Sequence, residues 1–154
     1  MAKNNLINGS IWDEYSQKVQ DRMNHPRYMG EITEEEAKAK GAKLIVADFG
    51  AESCGDAVRL YWLIDEKTDK IIDAKFKSFG CGTAIASSDT MAELCIGKTV
   101  DEAVKITNLD VERKHRSNFF INNIFNGFKF SDYIQFIKAK IYRFLCGFCI
   151  SYGF

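Results

Sequence analysis

Residues 57–82 read AVRLYWLIDEKTDKIIDAKFKSFGCG, and this stretch decides the fold. Residues 57–65 and 71–79 are short strand-like runs carrying β-branched and aromatic side chains, while Glu66-Lys67-Thr68-Asp69-Lys70 between them is a polar turn. That pattern predicts a β-hairpin. Upstream, residues 42–49 (AKLIVADF) make a third strand candidate. Downstream, residues 83–96 (TAIASSDTMAELCI) are rich in helix formers and stop at Gly97, a natural C-cap. Thr99 as N-cap, Glu102 completing a capping box, and Ala103, Val104 and Ile106 predict a further helix.

On the N-terminal side, Trp12, Tyr15, Val19 and Met23 fall on one helical stripe. The helix predicted there ends at His25-Pro26, because the residue before proline is pushed out of helical geometry. Thr33-Glu34-Glu35-Glu36 opens a short helix with a capping box and an acidic first turn, and Gly41 closes it. Strands in a run followed by helices argue for an α+β fold, a small antiparallel sheet of about three strands packed against helices.

The chain has 154 residues, 46% of them apolar and 27% charged. One domain of this size buries about two-thirds of its unfolded surface. A net charge of zero offers no global attraction to nucleic acid or to an anionic membrane, and nucleic acid is not an expected partner. Residues 1–24 hold no apolar stretch resembling a signal peptide, and no apolar run is long enough to predict a transmembrane span. Five scattered cysteines make a poor disulfide framework and point to a reducing compartment, with cytoplasm as the expected location.

Two of those cysteines stand in glycine-rich surroundings, as Cys54-Gly55-Asp56 and Gly80-Cys81-Gly82, with the hairpin strands between them. A thiolate beside a carboxylate, joined by a second thiolate, is a half-built site for a soft metal; such donors favour zinc, copper(I) or iron–sulfur clusters. Cys81 is predicted to open a helix, whose first turn presents unpaired N–H groups and partial positive charge. Gly80 and Gly82 allow close backbone approach to a bound ion. The competing reading is two buried cysteines near tight turns, since no CxxC pair anchors the site. Cys95, on an apolar helix face, reads as core, and His25 as a residue of a helix-ending turn.

The order Ser53-Cys54-Gly55-Asp56-Ala57, then Phe79-Gly80-Cys81-Gly82-Thr83-Ala84-Ile85-Ala86-Ser87-Ser88, resembles the NifU/IscU iron–sulfur cluster scaffold family. The resemblance extends from the early helix with Asn24-His25-Pro26-Arg27 to Asn108, about residues 12–112. It implies a scaffold or carrier rather than an enzyme. Such a protein receives sulfur as persulfide from a cysteine desulfurase and iron from an iron donor. It assembles a [2Fe-2S] cluster and passes it to apo-protein acceptors, with chaperone help. The resemblance makes Cys54 and Cys81 thiolate ligands of the cluster and Asp56 the labile neighbour that keeps it transferable. Zinc is the alternative occupant at rest, and a homodimer is one assembly compatible with this reading.

The family pattern then breaks. A proline-containing loop and an adjacent His-Cys pair on the last helix are expected, yet Pro26 is the sole proline and residues 121–126 hold neither His nor Cys. The break coincides with a change of composition. Residues 1–113 carry a net charge of −5, whereas residues 114–154 carry +5 and nine of the twelve Phe. The chain therefore divides into a scaffold core at 1–113 and a divergent tail at 114–154, with function expected to be impaired by the missing third cysteine. Three accounts of the tail stand open: a change of reading frame, a replacement helix, or a helix that binds a membrane surface or a partner. Ile134, Ile137, Ile141, Leu145 and Phe148 lie on one helical stripe. Cys146-Gly147-Phe148-Cys149 has redox or metal spacing, and with His115 supplies the other candidate ligands.

Overall fold

A computed structural model describes residues 15–51 and 56–115. From residue 116 on, the tail over which the three accounts stand open, with its stripe over 134–148, Cys146 and Cys149, lies outside the described residues, as does Trp12.

Three strands, β1 (Ala42–Ala51), β2 (Asp56–Asp65) and β3 (Ile71–Phe79), form one antiparallel sheet in the order β1-β2-β3. The fold class is the α+β class the sequence predicts. The hairpin turn is organised by Asp65, whose carboxylate accepts hydrogen bonds from the Lys67 amide (3.0 Å) and from the Thr68 amide and hydroxyl (2.8 Å each). The Thr68 hydroxyl and amide hold the Asp65 carboxyl below the usual carboxylate range. Asp69 takes a left-handed conformation (φ 54°), which aspartate tolerates better than most residues.

Central strand β2 is buried on both faces, which explains why its sequence is a near-continuous apolar run rather than an alternation. Val58, Leu60, Trp62 and Ile64 join Ala74 and Phe76 in the main core. The other side of that core comes from α3 (Gly82–Cys95), through Met91, Ala92 and Cys95, and from α4 (Val100–Ala103) and α5 (Asn108–His115), through Val100, Ala103 and Val111. On the opposite face, Tyr61 and Leu63 pack with Ile32 and with Ala37 of α2 (Glu34–Ala39). The outer edge of β3 is held at both ends. Gly30 donates to the Phe76 carbonyl (2.8 Å), and Gly97 donates to that of Ile71 (2.7 Å).

Both expected capping boxes form. Thr33 and Glu36 satisfy each other's backbone amides at the start of α2, and Thr99 and Glu102 do so at α4. Thr99→Ala removes an acceptor for an amide of the first turn and is expected to cost about 1 kcal/mol, read as a lowered urea midpoint with unchanged slope. Replacement by Ser should recover most of it.

The first helix among the described residues differs from its expected bounds. α1 spans Gln17–Asn24, with Ser16 as N-cap accepting from the Val19 amide, so Tyr15 of the stripe lies before the helix. A hydroxyl in reach of the first-turn amides stops the helix from extending toward Tyr15. His25 is the C-cap, as its place before Pro26 predicts.

Candidate metal and cluster site

β3 delivers the chain to Cys81 through Gly80, whose φ of +156° belongs to a region that residues with a side chain rarely adopt. This turn redirects the chain from strand into helix and makes Cys81 the N-cap of α3. Its thiol is exposed, and Sγ lies 2.9 Å from Thr83 Oγ1. Beside it, Gly82 is a point of close approach: a Cβ there would meet Met23 Cε at 3.1 Å. The thioether side chain of α1 thus lies against the first turn of the cysteine-bearing helix.

Ala57 at the start of β2 pairs with Phe79 at the end of β3. The backbone of Asp56, one residue before Ala57, therefore begins β2 at the same end of the sheet from which β3 leads to Cys81. Of the three sequence-predicted ligands, Cys81 is described in full, Asp56 by its backbone, and Cys54 lies outside the described residues. Among the described residues, no three His, Cys, Asp or Glu side chains converge into a metal-binding group.

An open groove of about 310 Å³ adjoins this end of the sheet, lined by Asp48, Arg59, Lys77 and Phe79 among others. Phe79 is 80% exposed. Across the three strands and beyond, Arg59 pairs with Asp48, and Lys77 with Glu31. The hydrogen bond to Asp48 raises Arg59 above its ordinary value, and that to Glu31 raises Lys77. Both cations stay charged at any physiological pH and give the groove rim a fixed polarity.

Cys95 is the chemical opposite of Cys81. It is fully buried among core residues, and burial pushes its thiol far above the ordinary range. Iodoacetamide applied to the native protein should therefore label Cys81 and leave Cys95 unmodified until denaturant is added, as peptide mapping by mass spectrometry would show. Early labelling of Cys95 would mean that the α3 core opens readily.

A feature the sequence reading did not single out supports the site from behind. Asp89 of α3 is fully buried and accepts hydrogen bonds from Arg22 Nη1 (2.7 Å), the Arg27 amide (2.6 Å) and the Tyr28 amide (2.8 Å). Arg22 also pairs with Glu93, which Lys114 reaches at 3.1 Å. Burial would raise the Glu93 carboxyl, but hydrogen bonds and charge from Arg22 and Lys114 outweigh it and hold the group below its ordinary value. This network clamps α1 and the turn after it onto the helix that begins at Cys81. The signal for it in the sequence is slight: an aspartate amid the small residues of 84–92, facing no local partner.

Residues 14–118 match the family described as the NifU-like N terminal domain, well over half of the chain. The chain belongs to this family of iron–sulfur cluster assembly scaffolds. It is 45% identical over 97 residues to the iron–sulfur cluster assembly protein IscU of Plasmodium falciparum, covering 63% of this chain and 56% of that protein. It is 41% identical over 101 residues to the nitrogen fixation protein NifU of a Nostoc species, covering 66% of this chain and 33% of that one. The chain thus spans from about a third to just over half of the length of these relatives. A SUF-system iron–sulfur scaffold structure from Fervidobacterium islandicum superposes with a TM-score of 0.50 at 30% identity, covering 84% of this chain and 90% of that one. The N-terminal NifU-like structure from Brucella abortus, at 19% identity and a TM-score of 0.52, covers 84% and 98% and shares the fold. Relatives include proteins named as mitochondrial, and no helix among the described residues is long and apolar enough to cross a membrane.

Proposed function

We propose that this NifU/IscU-type chain is a scaffold on which [2Fe-2S] clusters are assembled and from which they are transferred, with Cys54, Asp56 and Cys81 as its ligands. The observation that carries the reading is the placement of an exposed Cys81 at a helix N-cap, at the sheet end where β2 begins with Asp56. Cys54 precedes Asp56 by two residues, a covalent reach of at most about 7 Å. Two thiolates and a carboxylate form a soft, incompletely closed donor set. A closed zinc site takes four ligands, so zinc at rest should bind more weakly here than to a scaffold supplying three cysteines.

Sulfur would come from a cysteine desulfurase and iron from an iron donor, and apo-protein acceptors, aided by chaperones, would take the finished cluster. The exposed Phe79, with Arg59 and Lys77 along the groove, is the surface such a donor would meet on approaching Cys81. A cytoplasmic setting and a homodimer remain part of this proposal. Impairment follows from the third ligand that residues 121–126 do not supply.

A second reading keeps the fold as a partner-binding protein without a stable cluster. It is favoured by the missing His-Cys pair together with the exposed Phe79. Reconstitution of the full chain with iron and a cysteine desulfurase separates the two. Stoichiometric [2Fe-2S] absorption and circular dichroism support the scaffold, whereas absent iron with retained desulfurase binding supports the alternative. Replacing residues 114–154 by a proline-loop and His-Cys-bearing helix should raise cluster yield. If the native chain already assembles and transfers clusters at the same yield, an unrecognised ligand exists, and Cys146, Cys149 and then His115 are the substitutions to make.

A further inference from the structure

Cys81 has the extended backbone of an N-cap (φ −75°, ψ 161°), yet its side chain makes no capping hydrogen bond. An N-cap side chain ordinarily turns inward and accepts from an amide of the first helical turn. The Cys81 sulfur instead lies 2.9 Å from the hydroxyl of Thr83, the second residue of α3. Gly82 between them carries no side chain, and a Cβ there would come within 3.1 Å of Met23 Cε.

The polarity of this contact depends on the state of the sulfur. While Cys81 is a thiol, either atom can donate. A thiolate or a metal-bound sulfur has no proton, so in those states only the Thr83 hydroxyl can donate. Threonine is stiff at χ1, so the donor is held in place with little loss of entropy on binding. A hydrogen bond from a hydroxyl occupies one lone pair of the sulfur, and no capping hydrogen bond ties the sulfur to the α3 amides.

We propose that Thr83 is a positioning residue for Cys81: its hydroxyl donates to the sulfur in the thiolate and metal-bound states and fixes its direction for the metal. This role rests on the reading of Cys81 as a metal-binding thiolate.

The test is a zinc titration of the full-length chain against a competing chelator, paired with cobalt(II) substitution to read the sulfur-to-cobalt charge-transfer band. Thr83→Val, which keeps the shape and removes the donor, is expected to weaken zinc by about 10–100-fold, as loss of a partner of a metal ligand does. It should also shift the cobalt band. Thr83→Ser should restore both, because it returns the hydroxyl without the methyl group. Should Thr83→Val fail to fold by far-UV circular dichroism, Thr83→Ala is read against Thr83→Ser in the same way.

Wild-type affinity and band position in the valine variant would overturn the role. So would a serine variant as weak as the valine one, which would mark packing rather than hydrogen bonding. Cys81→Ser is measured alongside. If it leaves affinity and band unchanged, the assignment of Cys81 as ligand fails, and the role of Thr83 with it. If it removes both while Thr83→Val is silent, only the Thr83 role fails.

Discussion

Cys54→Ser and Cys81→Ser together should abolish [2Fe-2S] assembly by the full chain and reduce its zinc affinity beyond the about 10–100-fold that loss of a ligand's hydrogen-bond partner costs. The thiolate is the form that binds soft metal, and a serine hydroxyl stays protonated at neutral pH and offers a hard oxygen instead. Cys81→Ser alone should show most of the effect, because Cys81 is exposed at the N-terminus of a well-packed helix. Serine is also a good N-cap, so α3 should keep its stability while metal binding is lost. Tight zinc binding that survives the double substitution would sink the site assignment and move attention to Cys146 and Cys149. Asp56→Ala tests the third position differently. A carboxylate that keeps the cluster labile should, on removal, slow transfer to an apo-protein more than it lowers assembly.

The second large effect is expected far from the metal. Asp89→Ala should destabilise the protein by about 3–5 kcal/mol, the usual cost of removing one partner of a buried charge pair. It leaves the Arg22 guanidinium, only 8% exposed at its side chain, facing Glu93 alone, and strands the Arg27 and Tyr28 amides. Asp89→Asn should cost less, since its carbonyl oxygen can still accept from the amides. Urea unfolding measures both, and a loss below about 1 kcal/mol for the alanine variant would mean that α1 is not clamped as the structure describes.

Glu93 adds a pH signature to the same network. Its folded-state carboxyl is held below its ordinary value, so the unfolded chain binds this proton more readily. Its stabilising contribution is therefore complete above the ordinary glutamate range and is lost as pH falls through the depressed folded value. Glu93→Gln should flatten that part of the acid limb of the stability curve. An unchanged acid limb would show that Arg22 and Lys114 do not hold the charge in solution.

Sequence and structure agree most closely where the determining forces are local. The β3 bounds coincide at Ile71–Phe79, and both Thr–Glu capping boxes form, because three residues of separation suffice to write them. The hairpin follows from a polar turn between two β-prone runs, and Cys95 is core because it shares a face with Met91 and Ala92. The placement of Cys81 at the mouth of a helix was legible for the same reason: glycine on either side of a cysteine, then a run of helix formers. The start of α1 is not legible in the sequence, because an apolar stripe does not reveal which hydroxyl will cap the helix.

What the residues determined by themselves is the order and type of the elements, and the CGD and FGCG turns through which the family can be recognised. Only the tertiary structure decided that Asp89 lies buried against Arg22, 67 positions away along the chain, and that Met23 rests on Gly82 beside the cysteine. That β2 begins where β3 ends, with Asp56 and Cys81 at one end of the sheet, follows already from the hairpin the sequence predicts. Capping and turn chemistry act over three or four residues and so appear in any short window of sequence. A buried ion pair between helices distant along the chain requires long loops to close first, and its partners are chosen by packing, which no local pattern encodes.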